Sequence, residues 1–297
     1  MLEISLKDQE KFRKEGFLLL KNFYPKDFIK YIKSKIDDQI DAPTDKYQSG
    51  FNRLAFDLFE NDPVVIDFIQ SDHFKGFMNM LTQRKMIFAQ SLAFELKKKV
   101  DKGFPYHIGT QSFGYHRAED FGCTIWAPLI PVSAPHHGGM KYIPRDKVSG
   151  SFMYTQVDPA VFEIVEKSTD DENSKLILED YMKMRDEPLN SDGMKMILDH
   201  FAVQDDFEVG DALIFDKNVI HKSVMLEDGD YDSRTAFVMR FFCSESKYDL
   251  QRAINLEVPR KKWEYAGPTS YHLDVAKENG QSIKDSEFFK EKSYCFL

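Results

Sequence analysis

From Met86 onward the chain breaks into short segments dense in Phe, Ile, Val, Tyr and Thr: IFAQSLAFELKKK, FPYHIGTQSF, CTIWAPLIPV, GGMKYIPR, GDALIFDKNVIHKSV and SRTAFVMRFF. Clusters of Gly, Pro, Asp and Lys separate them. β-Branched and aromatic side chains suit a pleated, half-buried surface, and short runs of them between turn residues build sandwiches and barrels. The pattern predicts a mainly β core over 86–245. Residues 158–207 interrupt it with a polar, charge-rich stretch that reads as helices inserted between strands.

Before Met86 the period changes. SLKDQEKFRKEG has a capping Ser5 and a stop at Gly16, followed by the compact apolar run FLLLKNFY, which reads as a short strand between two helices. In KDFIKYIKSKIDDQI, Phe28, Ile32 and Ile36 recur every four residues with Tyr31 between them, one face of an amphipathic helix. DPVVIDFIQSDHFKGFMNML reads as a further helical stretch. No repeat, low-complexity tract or Pro-rich linker divides the chain. We therefore expect one domain, with 1–85 an N-terminal helical region, 86–245 the core and 246–297 a C-terminal extension.

Composition removes several classes of partner. With 49 acidic and 40 basic residues, the net charge of −9 lacks the footprint of a phosphate-backbone binder, so nucleic acid is not an expected partner. The 26 Phe and 13 Tyr supply ample apolar surface for a packed core. Three widely spaced cysteines, Cys123, Cys243 and Cys295, form no C-x-x-C pair, which argues against a disulfide framework or a zinc ribbon. No apolar run approaches the ~18 residues of a membrane span, and the first residues are charged. The expectation is a soluble, cytoplasmic protein with no membrane partner.

The sequence has no phosphate-binding loop, no G-x-G-x-x-G and no G-x-S-x-G, which leaves the histidines to carry the chemistry. Of eight, His107 and His221 sit among apolar neighbours in expected strands. Alternation puts His221 and Ser223 on one face, and Arg234, Ala236, Val238 and Arg240 on one face of the following strand. Two arginines on one strand face need an anion or open water. A guanidinium fork holds a carboxylate in two charge-assisted hydrogen bonds, so a dicarboxylate ligand would fit.

Five features in order then resemble one family: F-x-x-x-G-F-L-L-L-K-N-F at the start, SLAFELKKK leading to Tyr106-His107, CTIWAPL, GGMKYIPR, and G-D-A-L-I-F before the distal histidine. From about residue 5 to about residue 245 the chain resembles the phytanoyl-CoA dioxygenase family of iron(II)/2-oxoglutarate oxygenases. The resemblance implies a double-stranded β-helix, or jelly-roll, with flanking helices (an α+β chain, mainly β) and iron at its mouth. His107 and His221 match the iron ligands. Arg234, thirteen residues after His221, matches the arginine that binds 2-oxoglutarate, with Ser223 beside it; Lys97, ten residues before His107, falls where a lysine assists. The cofactor set implied is iron(II), 2-oxoglutarate and O2.

One position departs from that family. Its iron is usually held by H-x-D and a distal histidine, the two-His, one-carboxylate face, but here the motif reads His107-Ile108-Gly109. Glycine supplies no ligand, and its presence removes a negative charge together with the volume of a carboxylate. A halide ion restores both. The chain in this respect is similar to the aliphatic halogenases, whose motif is H-x-A or H-x-G. The similarity implies an iron(IV)-oxo species that abstracts hydrogen from an unactivated carbon, a chloride at the space left by Gly109, and a small-molecule or carrier-tethered substrate. Trp126 matches a position that lines the halide pocket.

Two alternatives stand beside it. Glu119 or Asp120, in YHRAEDFG, would make the protein a hydroxylase by supplying the missing carboxylate. A jelly-roll that had lost its metal carboxylate would be a binding protein. His116-Arg117-Ala118 is a second H-x-A, but His107 follows Tyr106, has Lys97 correctly upstream and lies nineteen residues before Trp126. His116 and Arg117 are expected on a loop over the pocket, with Phe113, Tyr115 and Tyr142 shaping it. His73, His136, His137, His200 and His272 read as surface or loop residues.

Overall fold

The structure, a computed structural model, describes residues 4–39, 51–170, 176–264 and 271–291. Cys295 lies outside them. Helix α1 (Leu6–Glu15) begins at Ser5, whose hydroxyl accepts from the Asp8 N–H while the Asp8 carboxylate accepts from the Ser5 N–H. It stops at Gly16, whose φ of 85° is left-handed; a Cβ there would also lie 2.7 Å from Val219 Cγ2. That turn delivers strand β1 (Phe17–Leu20). Helix α2 (Lys26–Gln39) buries Phe28, Ile32 and Ile36 as its period requires. Strand β2 (Arg53–Phe56) follows. The next expected helix is two, α3 (Pro63–Gln70) and α4 (Asp72–Thr82), because Ser71 is extended and its hydroxyl caps α4 by accepting from the Phe74 N–H.

Strands β3 (Met86–Lys97), β4 (Gly122–Pro128), β6 (Ala212–Asp216) and β8 (Ser233–Cys243) form the middle of a six-stranded antiparallel sheet in the order β1-β6-β4-β8-β3-β2. Strands β5 (Met140–Tyr142) and β7 (His221–Ser223) pair in a second, smaller sheet. The first 85 residues are thus more than a helical region, since β1 and β2 supply both outer strands of the large sheet. FPYHIGTQSF, expected as a strand, forms no named strand and meets the second sheet through the bridge of His107 to His221 and the bond from the Ser223 N–H to the Phe104 carbonyl. Beyond it the chain turns, with the Phe113 N–H bonded to the Gly109 carbonyl.

Over their middle residues the central strands alternate between two environments. Ala93, Ile125, Ile214, Phe237 and Met239 join Phe12, Ile32, Phe74 and Phe77 of the N-terminal helices in one core. Their neighbours Leu92, Phe94, Trp126, Leu213, Phe215 and Val238 face the second sheet, meeting Met140 and Tyr142 in another. The result is a jelly-roll with helices packed on the outer face of its large sheet.

The insertion is helical as expected: a π-turn at Met153–Val157 leads into α5 (Asp158–Asp170), α6 (Leu178–Asn190) and α7 (Asp192–Phe201). After the core come α8 (Leu250–Trp263) and the short α9 (Glu287–Glu291). No helix among the described residues is long and apolar enough to cross a membrane. Helices α5 and α8 are tied by an ion pair between Asp158 and Arg252, both buried. Removing one partner strands a buried charge, so Asp158→Ala should lower stability by about 3–5 kcal/mol, read as a shifted urea midpoint with an unchanged slope. A loss below ~1 kcal/mol would mean that the pair does not hold the insertion in place.

Candidate active site

His107 and His221 face each other across the two sheet segments, exchanging both backbone hydrogen bonds at 2.9 and 3.0 Å. Their rings lie 4.2 Å apart between centroids. In each, Nδ1 meets a backbone carbonyl two residues upstream, Pro105 for His107 at 2.8 Å and Val219 for His221 at 2.9 Å. A carbonyl only accepts, so each Nδ1 carries the proton and each Nε2 presents a lone pair. Burial pushes His107 down to about 4 and His221 well below its ordinary value, so both rings are neutral. Two neutral imidazoles with oriented Nδ1–H groups and free Nε2 atoms are the donor set a divalent metal uses.

Both rings open on a cavity of about 330 Å³. Its walls are largely apolar, with Leu92, Phe94, Trp126, Phe215 and Val238 from the large sheet and Met153 and Leu189 from the insertion. Gly109 and Phe113 line it as well. A Cβ at Gly109 would stand 3.1 Å from the Phe113 ring, so the room that glycine leaves is shared with that ring. Among the described residues no group of three His, Cys, Asp or Glu side chains converges as a metal site would require. Among the described residues, no carboxylate joins the two histidines in such a group.

Arg234 is wholly buried at one end of the β8 face, and among the described residues neither its Nε nor its two terminal nitrogens has a hydrogen-bond partner. Its guanidinium lies against the rings of Phe94 (5.3 Å) and Trp126 (5.6 Å), both of which line the cavity although Arg234 does not. Burial lowers it only to about 10, so the charge remains. The left-handed Gly138 passes over it, where a Cβ would come within 3.0 Å of the arginine. A buried guanidinium with every donor idle calls for an anion. Ser223 lies on the same side, on the strand that carries His221, and its Oγ accepts from the Phe104 N–H. The residues present fit 2-oxoglutarate and a divalent metal.

The opposite end of the same face holds two more cations that line the cavity, Lys217 and Arg240. Burial, with the Arg252 charge behind it, pulls Lys217 down to about 7. Its ammonium donates to the Arg117 carbonyl at 3.0 Å. Arg240 donates to Gln90 Oε1 at 2.6 Å. Lys217 reads in the sequence as the turn after ALIFD, and only its covering by the insertion at Met153 and Tyr154 makes it interior.

The insertion is fastened to the segment that carries His107 by residues that the sequence does not single out. Asn190 Oδ1 accepts from the Tyr106 N–H (3.1 Å) and its amide donates to the Tyr106 carbonyl (2.7 Å). Asp199 accepts from Tyr106 Oη at 2.8 Å and from Lys141 and Lys222, each at 3.1 Å. Arg185 and Asp186 of α6 reach the cavity wall as a mutual ion pair.

Several expected residues stand elsewhere. Lys97 is exposed and outside the cavity, because Leu92 and Phe94 face inward and an odd position on β3 faces out. Tyr115 is buried against Phe242, Tyr271 and Phe289. His116 is not on a loop over the pocket: it is fully buried, 5.8 Å from the Phe242 ring, with its backbone bridged to Tyr248. Arg117, Glu119 and Asp120 do not line the cavity; Glu119 is exposed and Asp120 accepts from the Lys247 N–H. Tyr142 packs on Phe17 rather than facing the cavity. His272, read as a surface residue, is buried beside Glu257.

His107→Ala or His221→Ala should abolish Co(II) binding by calorimetry, whereas His116→Ala should retain it; loss in His116→Ala alone would place the metal elsewhere. Arg234→Met should cut 2-oxoglutarate affinity at least roughly tenfold. Because it removes an uncompensated buried charge, the same change should leave the ligand-free melting temperature equal or raised. A lowered melting temperature with unchanged affinity would show that Arg234 is structural.

No family model matches the sequence, and none of the curated proteins does. Solved structures do match. SnoK, a non-heme alpha ketoglutarate dependent carbocyclase from nogalamycin biosynthesis, aligns at 12% identity and TM-score 0.57 over 83% of this chain and 87% of its own. SnoN, a non-heme alpha ketoglutarate dependent epimerase from the same biosynthesis, aligns at 10% identity and 0.56 over 92% and 93%. EctD from S. alaskensis, crystallised with 2-oxoglutarate and 5-hydroxyectoine, aligns at 12% identity and 0.58 over 95% and 86%. The jelly-roll with its flanking helices is thus the fold shared with these enzymes.

Proposed function

We propose that this chain is an iron(II)- and 2-oxoglutarate-dependent oxidoreductase that halogenates an unactivated aliphatic carbon of a small molecule. The observation that carries the cofactor part is the pairing of two free Nε2 atoms with a buried, unpartnered guanidinium on the adjacent inner face. Iron(II) with 2-oxoglutarate, when bound, activates O2 to an oxidant able to take hydrogen from an aliphatic carbon. The protein's own part is to orient and to exclude. His107 and His221 hold the metal in one tautomer, Arg234 and Ser223 receive the far carboxylate, and the apolar walls keep water from the reacting carbon. The neighbouring fold in SnoK, SnoN and EctD supports this reading of the cofactor set.

Halogenation rather than hydroxylation is supported by what stands beside His107. Gly109 leaves the third protein position without a donor, and no acidic side chain of the described residues completes a metal site. Chloride there would restore the missing negative charge. Hydroxylation is the second reading, favoured by Asp186, which lines the cavity and whose charge is felt at His107. A carboxylate from Glu119 or Asp120 has no such support.

The test needs no substrate. Iron(II) and 2-oxoglutarate are added anaerobically and the visible charge-transfer band is followed while chloride is titrated. A band that shifts with chloride is the expected result; one indifferent to chloride would overturn the halogenase reading in favour of hydroxylation, and no band would overturn both. Gly109→Asp should abolish the chloride dependence. Since its Cβ meets Phe113, the pair Gly109→Asp, Phe113→Leu separates ligation from crowding.

A further inference from the structure

Arg234 and Arg240 lie on one face of β8, six residues and about 20 Å apart at the rise of an antiparallel strand. Arg234 is the cation assigned above to the cosubstrate. The second cationic end remains without a role. Thr124 pairs with both Phe215 and Arg240, and the Lys217 N–H bonds to the Gly122 carbonyl. Lys217 and Arg240 therefore occupy adjacent rungs with β4 between them, at the same end of the cavity.

Neither forms an ion pair among the described residues. The nearby carboxylates are engaged elsewhere: Asp216 by Arg145 at 2.6 Å, Asp158 by Arg252, and Asp120 by the Lys247 N–H. Asp57 accepts from the Gln90 amide at 3.2 Å, and its charge favours the charged form of Arg240 without an ion pair between the two. Lys217 spends one donor on a carbonyl and keeps two. Two buried basic groups in a cavity whose walls are mostly apolar, with the Arg185–Asp186 pair on one of them, are costly unless the ligand brings the anion.

We propose that Lys217 and Arg240 bind the carboxylate of the substrate, which is a free aliphatic acid. The inference rests on the function proposed above and names its substrate class. A thioester to a carrier carries no charge at this carbon, so a tethered acyl group would leave both cations unanswered; the site selects the free acid.

The test is calorimetric and omits iron and cosubstrate, so it can fail independently of the chloride titration. Hexanoate, octanoate and decanoate are compared with their 1-alkanols on the native chain, Lys217→Met, Lys217→Gln and Arg240→Met. At least one acid should bind roughly tenfold or more tightly than its alcohol, and that preference should vanish in both Lys217 variants and weaken in Arg240→Met, with alcohol binding unchanged. Acids that bind no better than alcohols overturn the proposal, as does an acid preference that survives loss of Lys217. Displacement of the acid by succinate without any effect of Lys217 would put it at Arg234 and overturn the proposal too.

Discussion

The two-residue alternation of the four central strands is the constraint on which everything else rests. It sends Ile125, Ile214, Phe237 and Met239 outward to the helices and reserves the other face for the cavity. Because side chains on a strand have only two directions, a position on β8 or β4 is committed either to stability or to chemistry. Arg234, Val238 and Arg240 fall on the chemical side, as do Thr124 and Trp126 on β4. The helical layer of α1 to α4 buries the opposite face, so the sheet is rigid where the cavity needs fixed walls.

That inner face carries positive charge that the protein does not neutralise. Arg234 has no partner, and Lys217 and Arg240 form no ion pair among the described residues. A chain selected only for stability would replace such groups with hydrophobic ones, since buried charges lower stability unless paired. Lys217 and Arg240 line the cavity and Arg234 lies behind its Phe94 and Trp126 walls; in the function proposed above, each would be answered by a ligand's charge. A net charge of −9 does not speak against that proposal, because surface charge and interior charge are independent.

Much of this was legible in the sequence where local rules operate alone. The capped ends of α1, the period of α2 and the inward face of β8 follow from spacing, and so does the pairing of His221 with Ser223. The resemblance misled where it was allowed to outrank alternation: Leu92 and Phe94 face in, so Lys97 had to face out. His116 and Tyr115 were illegible for another reason. They are covered by Tyr248, Tyr271 and Phe289, more than a hundred residues later in the chain, and no local pattern announces such a cover. Lys217 and Asn190 belong to the same class, because their surroundings are made by the contact of the insertion with the barrel.

Asn190 closes both backbone hydrogen bonds of Tyr106, the residue before the first histidine. A helix of the insertion is in this way spliced into the strand-like segment that carries His107. Opening the one exposes the other, so the two behave as a single cooperative unit in native-state fluctuations rather than as a loop resting on a barrel. If His107 holds a metal as proposed above, the docking of α6 bears on how long that geometry persists, so the roof of the cavity is also part of the foundation of the site.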